Sequence, residues 1–222
     1  MKRIEKIRKQ EIMTHFHKII SLYGFSGASL AKVAKSMGTN ASLLLHYYKS
    51  KEEMILDFID FMIQKYEEYY LEKLNSMMDS EAKLHFLINR LFEDSRVLDK
   101  YLVGDRAYYE CYALSITHSE VKAKFRQFYN RFQRSLAAEL SNLLNANKLD
   151  AKTSQLLADF LIVMLEGKDF YSNLNEDEAA LARLRGFLKH VSFQMISDLK
   201  KNSDICGFVE LNNQFTTQQA SS

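Results

Sequence analysis

Two short helix signals separated by a glycine constrain this chain more than anything else in it. Residues 29–51 read SLAKVAKSMGTNASLLLHYYKSK. Val33 and Ala34 share a face of the first helix, and Met37 lies three residues past Ala34. Gly38 supplies the permissive backbone that a helix end needs. Asn40 can cap the next helix by accepting bonds from its unpaired N–H groups. Leu44 and Tyr48, four apart, give that second helix a single apolar stripe. Helices this short do not persist alone in water, so each must be held by packing against neighbours. A short helix, a turn containing Gly and a second short helix make a helix-turn-helix, whose second helix reads the major groove.

The rest of the chain offers nothing that interrupts helices: its 222 residues include no Pro and only 7 Gly. The expected fold is all-α, a three-helix head followed by a helical body, about nine helices in total. A first helix is expected over 4–23, with Ile12, Phe16, Ile19 and Ile20 at helical spacing and Gly24 ending it. Ser50-Lys51-Glu52-Glu53 reads as a capping box opening a long helix to about residue 77. Further helices are expected near 84–91, 97–103, 107–116, 118–144, 151–171 and 176–199, with Gly104-Asp105 as a break and 145–148 as a turn. The domain reading is a head over 1–50, a body over 51–200 and a polar tail over 201–222, partly disordered.

Charge is distributed unevenly along the chain. Nine bases stand against Glu5 and Glu11 in residues 1–50, an excess of seven; the chain's net charge is only +2, so the remainder is acidic. A basic head on an acidic body suits a protein that sets one end on a polyanion, and a solvated basic face is the plainer alternative. Cys111 and Cys206 fit no CxxC pattern and read as reduced thiols of a cytoplasmic protein. The charged N-terminus has no apolar run behind it, and residues 161–165 are far too short an apolar stretch to span a bilayer, so no signal peptide and no membrane partner are expected. His15 and His17, two apart, point to different sides of a helix and cannot share a metal. No cofactor, metal site or catalytic constellation is expected. Glu110, Cys111 and His118 have no spacing that suggests a nucleophile, so the chain does not read as an enzyme.

Residues 24–54 resemble the DNA-binding domain of the TetR family of bacterial transcriptional repressors. That family's pattern runs T-x-x-x-I-A-x-x-A-G-V-S-x-G-x-L-Y-x-Y-F-x-S-K-E-x-L. Ser29, Val33, Ala34, Gly38, Leu44, Tyr47, Tyr48, Ser50, Lys51, Glu52 and Met54 match it or replace a residue conservatively. Three departures stand out: Asn40 where Ser is usual, Ser42 where Gly or Pro is common, and Leu45 in place of a Tyr that usually reaches a phosphate.

On this resemblance the helix over 40–48 would lie in the major groove of double-stranded DNA. Asn40, Ala41, Ser42, Leu45 and His46 would then stand at or near the base edges, with Ser42 able to donate or accept, His46 to donate to guanine and Leu45 to touch a thymine methyl. Leu43 and Leu45 read equally as packing residues. Ser29, Tyr47, Lys49 and Lys51 would meet phosphate, and the basic stretch over 2–9 would be a flexible arm or simply a solvated tail.

The resemblance also implies a homodimer through the last two helices, whose apolar residues could equally be internal core. It further implies a small, mostly apolar or aromatic effector in the body. Phe86, Tyr101, Tyr108, Tyr109, Tyr112, Phe125, Phe160 and Met164 are the candidate pocket residues, against a background in which most such side chains are core. The rival to a ligand-released repressor is a helical nucleoid or adaptor protein that binds DNA without a switch.

Overall fold

In the computed structural model, residues 2–72, 77, 79–94, 104–144 and 151–201 are described. The expected helix over 97–103, the turn over 145–148 and the tail beyond Lys201 lie outside them. The described residues form nine α-helices: α1 (Lys2–Gly27), α2 (Leu30–Ser36), α3 (Ala41–Tyr47), α4 (Lys51–Glu67), α5 (Ser80–Leu91), α6 (Gly104–Thr117), α7 (Ser119–Leu143), α8 (Ala151–Leu174) and α9 (Glu178–Lys201). A π-helical turn, Glu68–Glu72, extends α4. No helix among the described residues is long and apolar enough to cross a membrane.

Packing divides the chain into two units, residues 1–72 with 94–130 and residues 73–93 with 131–222. Neither unit ends at the expected boundary, residue 50.

The first unit is built around α1. The helix begins at Lys2 and its course breaks at Gly24 (φ 67, ψ 177) before one last turn to Gly27. The expected end at Gly24 is thus corrected to a kink. Such a backbone geometry is open to glycine and very costly for other residues. The expected flexible arm over 2–9 is corrected too, since these residues are helical and Arg8 and Lys9 carry ion pairs with Glu11 and Asp57. Ile12, Phe16 and Ile20 are buried, as are Val33 and Ala34 of α2, Leu44 of α3 and Met54 and Phe58 of α4. Phe16, Phe25 and Phe58 meet with ring centres 5.4–6.3 Å apart, the two contacts to Phe58 being edge-to-face. Gly104, expected to be part of a break, is instead the first residue of α6, with φ 73.

In the second unit α5, the later part of α7, α8 and α9 bury Leu84, Leu87, Leu91, Leu136, Leu140, Leu161, Leu165, Leu188 and Ile196. Lys83 pairs with Glu139 at 3.3 Å, and Gln133 donates to Asp159 at 2.7 Å. Lys168 is buried, pairs with Asp169 at 2.7 Å and donates to the Glu93 carbonyl at 2.8 Å. A cation placed just past the C-terminal end of α5 also meets the negative end of that helix dipole.

Candidate nucleic-acid interface

The interface candidate is assembled from three capped helix starts. The Ser29 hydroxyl accepts from the Lys32 N–H at 3.3 Å, the Asn40 carbonyl oxygen from the Leu43 N–H at 3.0 Å, and the Ser50 hydroxyl from the Glu53 N–H at 3.2 Å. Each bond satisfies one donor that the first helical turn leaves open. The Glu53 carboxylate returns a bond to the Lys49 N–H at 2.8 Å, one residue earlier than in a strict capping box. Hydrogen bonds from its own backbone N–H and from Ser50 hold the Glu52 carboxyl below its ordinary value.

Leu44 and Tyr48 fix the orientation of α3. Both are wholly buried, and by helical spacing they turn Ser42, Leu45 and His46 (i, i+3, i+4) outward together. Ser42 and His46 are exposed, Leu45 is 51% exposed, and Ala41, Leu43 and Tyr47 are half-buried. The His46 ring stands edge-on to Tyr47 with centres 5.2 Å apart.

Tyr48, the C-cap of α3, donates its phenol to Asp57 at 3.0 Å. The Lys9 ammonium lies 3.0 Å from the same carboxylate and 4.9 Å from the Tyr48 ring centre. Burial first, and the Asp57 charge second, push the phenol's titration well above its ordinary range. Lys9, Tyr48 and Asp57 thereby tie α1, the end of α3 and α4 together. They also border an open cavity of about 370 Å³ that is lined further by Lys6, Asp60 and Phe61.

Several expected contacts have intramolecular occupations. The Asn40 amide oxygen is engaged in capping, and the Lys51 ammonium donates to the Phe25 carbonyl. On the other side of that peptide segment, the Phe25 N–H donates to the Glu110 carboxylate, which also pairs with Arg106 at 3.3 Å. Phe25 is therefore held through its N–H by α6 and through its C=O by α4. Lys32 donates to the Gly27 carbonyl at 2.6 Å and lies 4.6 Å from the Tyr23 ring centre. Lys35 of α2 and Lys49, in the bend between α3 and α4, are exposed. Sequence reasoning missed Asp57 altogether and missed the pairing roles of Lys9 and Glu110. Their partners lie far along the chain, and a lone carboxylate on a helix carries no local signal of such pairing.

The effector candidates fall in both units. In the first, Tyr108 and Phe125 are buried, Tyr109 is half-buried and Tyr112 is exposed. Phe125 lies 6.0 Å from Tyr108 and 6.1 Å from Tyr112 between ring centres, and Tyr66 lies 5.5 Å from Tyr108. The phenols of Tyr108 and Tyr129 share a hydrogen bond. In the second unit, Phe86 lies under Arg90, Met164 is half-buried and Phe160 is exposed. Tyr101 lies outside the described residues. Cys111 is buried, which raises its thiol's titration and leaves it protonated.

A capped three-helix head with one outward-turned reading face defines the class: a helix-turn-helix DNA-binding protein. Residues 17–58 match the model for bacterial regulatory proteins of the tetR family, and residues 79–197 match the tetracyclin repressor-like C-terminal domain. The chain belongs to the TetR family of bacterial regulatory proteins.

Among its relatives is the nucleoid occlusion factor SlmA of Haemophilus influenzae, 24% identical over 180 residues, or 75% of this chain and 76% of that one. The HTH-type transcriptional regulator BetI of Yersinia pestis is 25% identical over 185 residues, covering 80% and 89%. In fold it is similar to a transcriptional regulator from Saccharomonospora viridis solved in complex with choline, with a TM-score of 0.68, 13% identity and coverage of 83% and 95%.

Proposed function

We infer that the chain is a homodimeric repressor that grips a pseudo-palindromic operator with two copies of α3 and lets go when a small molecule enters its body. The observation that carries this reading is the outward face of α3. Three accessible side chains stand on a helix whose cap and two buried anchors leave it little freedom to rotate. Residues 1–50 would read DNA, residues 51–200 would bind effector and pair the subunits, and the cytoplasm would be the place of action. Ser29, Tyr47 and Lys49 would meet phosphate. Lys51 would reach phosphate only by leaving the Phe25 carbonyl.

An exposed apolar stripe on α8, with Phe187 exposed on α9, supports pairing. Val163 is 67% exposed, Leu174 70% and Phe187 63%, with Leu156, Phe160 and Phe170 also open. Single exposed apolar residues are ordinary, but a row of them marks a surface that a second copy would cover. Two heads are needed because one makes too few contacts to select a site within a genome.

For the effector, the tyrosine-rich group around Phe125 supports a small, mostly apolar or aromatic molecule, and the similar S. viridis regulator holds choline. A switch requires that effector and operator weaken each other's binding by the same factor.

The test begins with duplex selected from a random pool. Affinity for it should fall steeply with salt as bound counterions are released. A salt-independent affinity would contradict the footprint. The second reading, DNA binding without a ligand switch, is favoured by the likeness to SlmA. Operator affinity unchanged across a library of small molecules that demonstrably bind the protein would establish it.

A further inference from the structure

The outward face of α3 lacks every side chain that pairs with a purine through two hydrogen bonds at once. Arg and Lys do this with guanine, and Asn and Gln with adenine. The helix reads Ala41-Ser42-Leu43-Leu44-Leu45-His46-Tyr47 and contains none of the four. The nearest amide, Asn40, holds its oxygen on the Leu43 N–H at 3.0 Å, and rotating it away would uncap the helix.

Among the three outward side chains, Ser42 is short and fits several base edges equally, while His46 offers one ring edge beside Tyr47. Leu45 is the remaining and largest apolar group on the face. It is 51% exposed, whereas the adjacent Leu44 is wholly buried and Leu43 half-buried. An apolar residue left half-exposed between buried anchors contributes less to the head's own core than its neighbours do.

Thymine's 5-methyl is the apolar group that the four bases present in the major groove. We propose that Leu45 is the principal specificity-determining residue of α3 and packs on a thymine methyl in each half-site, so that the operator is read by methyl groups more than by purine hydrogen bonds. This rests on the DNA-reading role of α3 inferred above. It fixes one base in each half-site and predicts that a single carbon atom there makes a measurable contribution to selectivity.

The test uses the full chain and chemically altered DNA, so protein folding is not at stake. Duplex is selected from a random pool, and each thymine of the consensus is then replaced by deoxyuridine, which removes only the methyl. At one thymine in each half-site the replacement should weaken binding about fourfold, and about fifteenfold when both are replaced, the effect of uncovering one methyl group per site. Leu45→Ala should bind the same duplex more weakly and show no further loss with deoxyuridine at that position. Putting 5-methylcytosine there should bind better than cytosine for the native chain and equally for Leu45→Ala. Deoxyuridine without effect at every position, or an equal effect on both proteins, would overturn the assignment while leaving DNA reading intact. A pool that never converges would overturn the DNA reading itself.

Discussion

Tyr48 shows how much of this head hangs on one side chain. It closes α3, is wholly buried and donates a hydrogen bond from its phenol to Asp57. Burial and the neighbouring carboxylate favour the neutral phenol in the folded state, so its titration lies above the ordinary 10.0. The stabilisation is then complete below the unfolded value and is lost as pH rises beyond it. Thermal melts should show the native chain losing stability relative to Tyr48→Phe above about pH 10; parallel curves would show that the phenol is not coupled to folding.

At Gly24 the backbone lies in a region almost closed to other residues, and an added Cβ would fall on the Glu110 carboxylate. Gly24→Ala should cost about 1–3 kcal/mol in urea unfolding. Residues such as Asn40, Leu44 and Ser50 were legible in the sequence because a cap or a stripe is a local pattern. The intramolecular roles of Lys9 and Lys51 were not, since each partner lies many residues away and a lysine's formal charge looks the same whether it meets a carboxylate, a carbonyl or a phosphate.

Among the elements, α6 carries the least visible role. Its Glu110 accepts the Phe25 N–H just past the α1 kink, where the chain leaves regular helical geometry and its amide needs a partner. Removing the carboxylate in Glu110→Ala should destabilise the unit by about 1.5–3 kcal/mol, the range for a hydrogen bond to a charged group. Amide exchange at Phe25 should quicken selectively, and Glu110→Gln, which keeps an acceptor, should lose less. Unchanged Phe25 exchange in the alanine variant would remove this role from Glu110.

The existence of nearly every helix was legible from periodicity and the absence of proline, but the ends were not. Helix α1 passes through a glycine expected to stop it, because the carboxylate of a distant helix stabilises the break. Helix α6 begins on the glycine expected to precede it. The π turn after α4 has no signature in Glu68-Tyr69-Tyr70-Leu71-Glu72 that would separate it from ordinary helix.

For the whole molecule the proposed pairing surface is the apolar row of α8 together with Phe187 of α9. Replacing Val163 and Phe187 together by Asp should yield monomers by sedimentation and weaken operator binding by a hundredfold or more as an order-of-magnitude expectation. A double variant that stayed dimeric would move the interface elsewhere. The head's purpose was written in 29–51 because caps, glycine and stripe recur at fixed offsets. The effector's place was not: Tyr108 and Phe125 would look identical in a sequence whether they line a cavity or fill a core, since both tasks select large apolar rings.

The double hold on Phe25 has a practical consequence for protein engineering. The turn that positions the reading helix is bonded to Lys51 and to Glu110, and between those two residues the chain passes out into the other unit and back. No single splice can therefore exchange the second unit while keeping both grips. A chimera joined after residue 50 would discard both Lys51 and Glu110, and one joined after residue 130 would retain residues 73–93 of the unit it meant to replace.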